Sequence, residues 1–294
     1  MKTPLILASG ILGVDCKIMN RVIEAGAGAV TIKSISLEER PGHNSPVMIG
    51  FGEVFMNAVG YSNPGAKEAK KEFTDLKKKI SGPVIGSIIG TKPEDFAKVY
   101  KALEDCKFDA IEIPLSCPHT PGFGTLAGQG TPEATYEITK AVRKVCKKPI
   151  IVKLSPNSAN LADVAKAAEK AGASAINMGN THGPGMKINI ETGKPILDFK
   201  VGGLSGPAIK PVAIRCVYDL YKAIKIPIIG TGGITNGKDA IEMLMAGASV
   251  VGIGTAVYYK GPEVFKEIEK EMQEWMQENN YTNISELIGK AHEE

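Results

Sequence analysis

Three stretches of this chain carry residue types that can do chemistry, and each sits at the end of a short apolar run. In the last quarter, Ile228-Ile229-Gly230-Thr231-Gly232-Gly233-Ile234 and Val250-Val251-Gly252-Ile253-Gly254-Thr255-Ala256 form two glycine clusters. Backbone N–H groups presented at strand ends, with a helix N-terminus behind them, make a phosphate cradle. Glycine suits it because a Cβ would hold the backbone away from the phosphate oxygens. The pattern signals a phosphate-bearing ligand without separating FMN from a sugar phosphate, and ordinary tight turns would leave the same clusters.

The second stretch, Ile151-Val152-Lys153-Leu154-Ser155-Pro156-Asn157, ends an apolar run on a lysine. An ammonium inside a barrel rim is costly unless it faces an anion. A reduced flavin, negative near N1 and the C2 carbonyl, is such a partner, and a lysine reaching out to solvent is the plain alternative. Lys33 ends another run in the same way and can point at the same pocket. In the third stretch, Ile113-Pro114-Leu115-Ser116-Cys117-Pro118-His119, a thiol follows an apolar run directly. There it can act as base or nucleophile, although most free cysteines are simply buried.

The elements that would hold these groups alternate. Short Val- and Ile-rich runs predict strands at Leu5–Ala8, Ala29–Lys33, Val84–Ile88, Ala110–Ile113, Ile150–Lys153, Ala175–Met178, Ile228–Gly230 and Val250–Ile253. Between and after them, helical periodicity spans Lys17–Ala25, Ala66–Ile80, Pro93–Asp105, Pro132–Val145, Leu161–Ala171, Pro207–Ile224, Gly237–Ala246 and Pro262–Gln277. Eight such βα units predict an α/β fold, a closed (β/α)8 TIM barrel in one domain over 1–294. Ala-Gly-Ala recurs at 25–27, 171–173 and 246–248, each ending a helix just before a strand, as repeated units would. Two connections, 34–64 and 179–206, are too long for plain loops and predict functional insertions at the C-terminal face. In the second, Ile188–Ile190 and Pro195–Leu197 around Glu191-Thr192-Gly193-Lys194 predict a β-hairpin over the barrel mouth.

The bulk properties narrow the class. At 294 residues, with 43% hydrophobic and 23% charged residues, the chain can bury a core without metals or disulfides. A net charge of +3, spread along the chain, gives no nucleic-acid surface. Cys16, Cys106, Cys117, Cys146 and Cys216 lack CxxC spacing, which argues for a reducing, cytoplasmic setting and against a disulfide framework or zinc site. The four cysteines other than Cys117 fall in helical segments or at their ends and read as structural. The apolar run near the N-terminus is too short for a signal peptide and reads as a first strand. No run approaches a membrane span.

Several motifs carry a resemblance: Ser116-Cys117-Pro118, Lys153-Leu154-Ser155-Pro156-Asn157, Asn57-Ala58-Val59-Gly60 with Asn63-Pro64-Gly65, Gly202-Gly203-Leu204-Ser205-Gly206-Pro207-Ala208-Ile209-Lys210-Pro211, and the two glycine clusters. In this order the chain resembles the class 1 dihydroorotate dehydrogenases of pyrimidine biosynthesis, nearest the 1B branch, from Leu5 to about Ala256. The resemblance implies FMN held by Ser9, Lys33, Ser34, Lys153, Gly206, Gly232, Gly233, Gly254 and Thr255. It implies a pyrimidine substrate against Lys33, Asn57, Ala58, Val59, Gly60, Tyr61, Asn180 and Thr181. Cys117 is then the base that takes the C5 proton while C6 delivers hydride to the flavin. It further implies a homodimer, and a separate subunit with FAD and an iron–sulfur cluster through which class 1B relatives reach NAD. No membrane partner is implied.

The chain departs from that pattern at three positions. Pro114 and His119 stand where the family has asparagines, and proline offers neither amide side chain nor backbone donor. Ser87 stands where the family often has a flavin-contacting asparagine. Ser-Cys-Pro-His and Leu126-Ala127-Gly128-Gln129-Gly130 resemble instead the pyrimidine-reducing module of dihydropyrimidine dehydrogenases. The readings left open are a dihydroorotate dehydrogenase, a relative acting on dihydrouracil or another C=C substrate, and a non-redox phosphate-binding barrel.

Overall fold

A computed structural model describes residues 2–115 and 130–293. Eight parallel strands, Leu5–Leu7, Ala29–Thr31, Val84–Ser87, Ala110–Pro114, Ile150–Leu154, Ala175–Met178, Ile228–Thr231 and Val250–Ile253, close into a barrel in sequence order. The last pairs with the first, Leu5 opposite Val251 and Leu7 opposite Ile253. They lie where the apolar runs predict them, and the fold is the (β/α)8 barrel.

Alternation along each strand divides its side chains between the barrel interior and the helices. Ile6, Ala29, Ile85, Ala110, Ile151, Ala175, Ile229 and Val250, one from each strand, pack together as an apolar plug. Two residues further on, the interior positions are Ala8, Thr31, Ser87, Glu112, Lys153, Asn177, Thr231 and Gly252. The interior therefore turns from hydrocarbon to polar within one layer, and that layer floors the site. Outward residues such as Leu5, Leu7, Val30 and Val152 join the main core with the helices.

Local chemistry explains the helix limits. Thr131 caps Pro132–Val145, its hydroxyl accepting from Ala134 N at 3.2 Å, with proline where no N–H is needed. The helix buries Thr135, Ile138, Thr139 and Val142, one stripe of a 3.6-residue period. All three Ala-Gly-Ala repeats end in the same way. Gly26, Gly172 and Gly247 have positive φ, and the following alanine N–H returns to Val22, Ala168 and Met243 O, a Schellman stop.

Three stretches differ from the helical periodicity. The segment 66–80 is two helices, Gly65–Phe73 and Leu76–Lys79. Thr74 donates its hydroxyl to Lys70 O at 2.6 Å and Asp75 turns left-handed, a conformation aspartate tolerates. Pro207–Ile209 is a 3-10 turn ahead of the helix Lys210–Ala223, and Thr255–Lys260 forms an unanticipated helix before Val264–Glu278.

The two long connections meet over the mouth. Val54–Asn57 pairs with both Met48–Phe51 and Gly202–Ser205, and His182–Gly185 completes a four-stranded antiparallel sheet. Met56, Ala58 and Leu197 are buried beneath it. The predicted hairpin is present but short, Ile188–Asn189 against Lys194–Pro195. Among the described residues, no helix is long and apolar enough to cross a membrane.

Candidate functional site

A cavity of about 400 Å³ opens at the C-terminal ends of the strands, beneath the four-stranded sheet. Every residue expected to hold cofactor or substrate, Cys117 apart, lies on its wall. Ser9, Lys33, Ser34 and Lys153 come from strand ends; Gly206, Gly232, Gly233, Gly254 and Thr255 come from the later turns. Asn57, Ala58, Val59, Gly60 and Tyr61 form one side, with Asn180 and Thr181 across from the end of the sixth strand. Cys117, Ser116, Pro118 and His119 lie outside the described residues. Pro114 ends the fourth strand on the cavity wall, in register with Lys153.

Lys153 is 5% exposed, so it does not reach out to solvent. Its Nζ donates to Ser9 Oγ at 3.2 Å, across the cavity floor between the fifth and first strands. A hydroxyl alone is a poor partner for a buried ammonium, and the cavity supplies the space for an anionic one. Ser34 Oγ lies 2.9 Å from Ser87 Oγ. Ser87 is fully buried and touches the site only through Ser34.

The glycine turns are of two kinds. Gly232 and Gly233 have φ of +143° and +77°, and a Cβ would stand 2.8 Å from Ala213 Cβ and 2.5 Å from Lys210 Cβ, respectively. These glycines are required by the fold. Gly254 has ordinary negative φ, and a Cβ there would meet only Ala8 Cβ at 3.8 Å. Its bare backbone keeps cavity volume open, which is the property a phosphate cradle needs. Beside it Thr255 Oγ1 donates to Ser205 Oγ at 2.9 Å, which donates to Phe55 O at 3.2 Å.

Lys210 braces the Gly232-Gly233 turn. Its Nζ donates to Asp239 Oδ1 and Glu242 Oε2, both at 2.7 Å, while Asp239 Oδ2 accepts from the Thr235 amide and hydroxyl. Burial alone would push the Asp239 carboxyl up, but these partners together hold it below the usual range. A depressed carboxyl contributes stability above its unfolded pKa of about 3.9 and loses it as pH falls through the lower folded value. Asp239→Asn is therefore expected to lower Tm at pH 7 and to flatten the fall of Tm as pH drops below about 4. An acid limb parallel to that of the parent would show that the brace carries no such stability.

The Asn57–Tyr61 loop is held from behind. His43 stacks on Phe199, ring centroids 4.0 Å apart, and its Nδ1 donates to Ala58 O at 3.1 Å. Gly60 has φ +71°, and a Cβ would stand 2.7 Å from His43 Cδ2. Cys16, Cys106, Cys146 and Cys216 are free and buried. Burial, with a hydrogen bond to Glu72, pushes the Cys16 thiol up to about 12, and burial raises Cys106 and Cys216 as well. None of the four lines the cavity.

The family model described as dihydroorotate dehydrogenase matches residues 1–276, with the cavity and all its walls inside the match. The chain belongs to the dihydroorotate dehydrogenase family. It is 42% identical over 294 residues to the "Dihydroorotate dehydrogenase B (NAD(+)), catalytic subunit" of Methanothermobacter thermautotrophicus, covering 100% of this chain and 96% of that one. Proteins of the same name from Pyrococcus abyssi and Methanocaldococcus jannaschii are each 44% identical, covering 99% of this chain and 95% of theirs.

Within this dihydroorotate dehydrogenase fold, sequence reasoning missed Phe55, Ser205, Thr231 and Tyr258 on the cavity wall. It also missed Glu112 and Asn177 below the cavity. The contexts of the buried pair, Ile111-Glu112-Ile113 and Ile176-Asn177-Met178, read as plain strand. Only alternation counted from Ile151-Val152-Lys153 would have turned both side chains toward the site.

Proposed function

We propose that this chain is an FMN-dependent dehydrogenase that oxidises dihydroorotate to orotate, a CH–CH oxidation in pyrimidine biosynthesis. The observation that carries the reading is the meeting, in one cavity of a family member, of the glycine turns, buried Lys153 and the amide-bearing loop Asn57–Tyr61.

The residues present fit FMN. Gly254 leaves open the volume its Cβ would fill, so Gly232, Gly233, Gly254 and Thr255 would hold the phosphate through backbone N–H groups. Ser9, Lys33, Ser34 and Gly206 would line the remainder, and Lys153 would supply positive charge to the pyrimidine edge of the ring. When bound, FMN supplies an acceptor for hydride at N5. Asn57, Asn180, Thr181 and Lys33 would orient the substrate, with Ala58, Val59, Gly60 and Tyr61 closing over it and excluding water. Cys117 Sγ takes the proton from C5 as the hydride leaves C6. The two hydrogens lost, one as proton and one as hydride, account for the double bond of orotate.

Relatives named as catalytic subunits and as NAD(+) enzymes support an electron route through a second subunit. We assign that subunit FAD and an iron–sulfur cluster, and assign this chain a homodimeric, cytoplasmic core.

The test is an anaerobic titration of the FMN-loaded protein with dihydroorotate, following flavin absorbance. Bleaching at stoichiometric substrate is the expected result. A flavin that stays oxidised with dihydroorotate and bleaches with dihydrouracil would overturn the substrate, and a chain that takes up no FMN would overturn the cofactor.

A further inference from the structure

Glu112 lies on the inward face of the fourth strand, one layer beneath the cavity, and is 1% exposed. A carboxylate in that position is costly unless it is hydrogen-bonded and its charge is answered. Asn177 Nδ2 donates to Glu112 Oε2 at 2.7 Å, and Ser87 Oγ lies 3.4 Å from Oε1. From these partners two chains climb to separate parts of the cavity wall. Thr231 Oγ1 donates to Asn177 Oδ1 at 2.9 Å, and Ser87 Oγ is 2.9 Å from Ser34 Oγ. Gly252 makes room for the first chain, because a Cβ there would collide with Thr231 Oγ1.

Hydrogen bonding alone does not call for a carboxylate here. A glutamine could accept from Asn177 with its carbonyl and donate to Ser87 with its amide, and Ser87 could pass its own proton on to Ser34. The property that only glutamate brings is charge. Its hydrogen-bond partners are neutral, while Lys153 stands on the adjacent strand, inward-facing and two residues above Ile151, which pairs with Glu112. The hydrogen bond from Asn177 to Glu112 joins the two strands that flank Lys153, and Lys153 extends instead to Ser9.

We infer that Glu112 is a positioning residue that lowers the reduction potential of the flavin by offsetting the field of Lys153, an inference that rests on the FMN reading above. Lys153 favours the reduced, more negative ring. Left unopposed in a low-dielectric floor, it would hold the electron pair too tightly to pass on to a weak oxidant such as NAD+, the acceptor in the relatives' name. Glu112 acts through space and through Asn177–Thr231 and Ser87–Ser34, which keep its carboxylate fixed beneath the ring site.

The test is a reductive titration of the FMN-loaded protein against a reference dye at pH 7, with thermal melts of the flavin-free forms run beside it. Glu112→Gln is expected to shift the equilibrium with the dye at least about tenfold toward reduced flavin, the scale of removing one unit charge from a protein interior. Glu112→Asp, which keeps the charge but stretches the hydrogen bonds, should lose stability yet stay near the parent potential. If Glu112→Gln fails to fold, Glu112→Met with Asn177→Leu removes charge and partner together and should shift the equilibrium the same way. A Glu112→Gln (or double-variant) potential equal to the parent's, or an equal shift in Glu112→Asp, overturns the inference. A parent chain that binds no FMN overturns the cofactor reading instead, and the inference falls with it.

Discussion

Gly254→Ala is expected to weaken FMN binding by at least about 100-fold while leaving the flavin-free barrel folded. The two halves of that expectation have separate causes. The added Cβ would meet only Ala8 Cβ at 3.8 Å, so no protein atom is displaced and the flavin-free barrel should still fold. The same Cβ would stand in the space the phosphate needs, pushing its oxygens off the Gly254 and Thr255 N–H groups. Hydrogen bonds to a charged group contribute about 1.5–3 kcal/mol each, so losing two gives the stated effect. Gly233→Ala is the contrasting control. Its Cβ would stand 2.5 Å from Lys210 Cβ at φ +77°, so it should lower Tm of the flavin-free protein as well. Fluorescence titration with FMN, paired with melts, separates the two. Unchanged FMN affinity in Gly254→Ala would remove that turn from the phosphate site.

Cys117→Ala should retain flavin but slow its reduction by dihydroorotate by at least about 100-fold, the usual weight of a positioned general base. The expectation stands on the role that the family resemblance implies for Cys117, and no described cysteine competes for it. Breaking the C5–H bond needs an acceptor whose basic form is accessible near neutral pH. Of the described cysteines none lines the cavity, and Cys16, Cys106 and Cys216 are held further toward the thiol by burial. A thiol with an ordinary pKa of about 8.5 is a few per cent ionised at neutral pH. The parent's reduction rate should therefore rise with pH through that range, and the alanine variant should lose the rise. Stopped-flow reduction under anaerobic conditions checks both. A variant that reduces its flavin at the parental rate removes Cys117 from the base's role.

Much of this molecule was legible before any coordinates. Strand runs such as Ile150–Lys153 and Val250–Ile253 are short, β-branched and bounded by turn residues, so their local chemistry determines them whatever they pack against. The Ala-Gly-Ala helix stops were legible for the same reason, being closed by hydrogen bonds within six residues. The failures came where the deciding contact is distant. The four-stranded sheet was missed because the pairing that unites its two halves, Val54–Asn57 with Gly202–Ser205, joins residues as far apart as Phe55 and Ser205. Gly202 itself looks like a turn residue, but it lies in a strand where a Cβ would collide with Leu197 and Asn57.

The sequence by itself determined the eight βα units, the order in which they present Lys33, Lys153 and the glycine turns, and membership of a family whose motifs run in that order. Tertiary structure alone decided which of those groups share a cavity, that Gly254 faces open space while Gly233 faces Lys210, and that Glu112 and Asn177 bond to each other across the strand between them. The physical reason is that periodicity tells a strand which residues lie on the same side. Only closure of the barrel decides which side is the interior, and what a buried charge will find there.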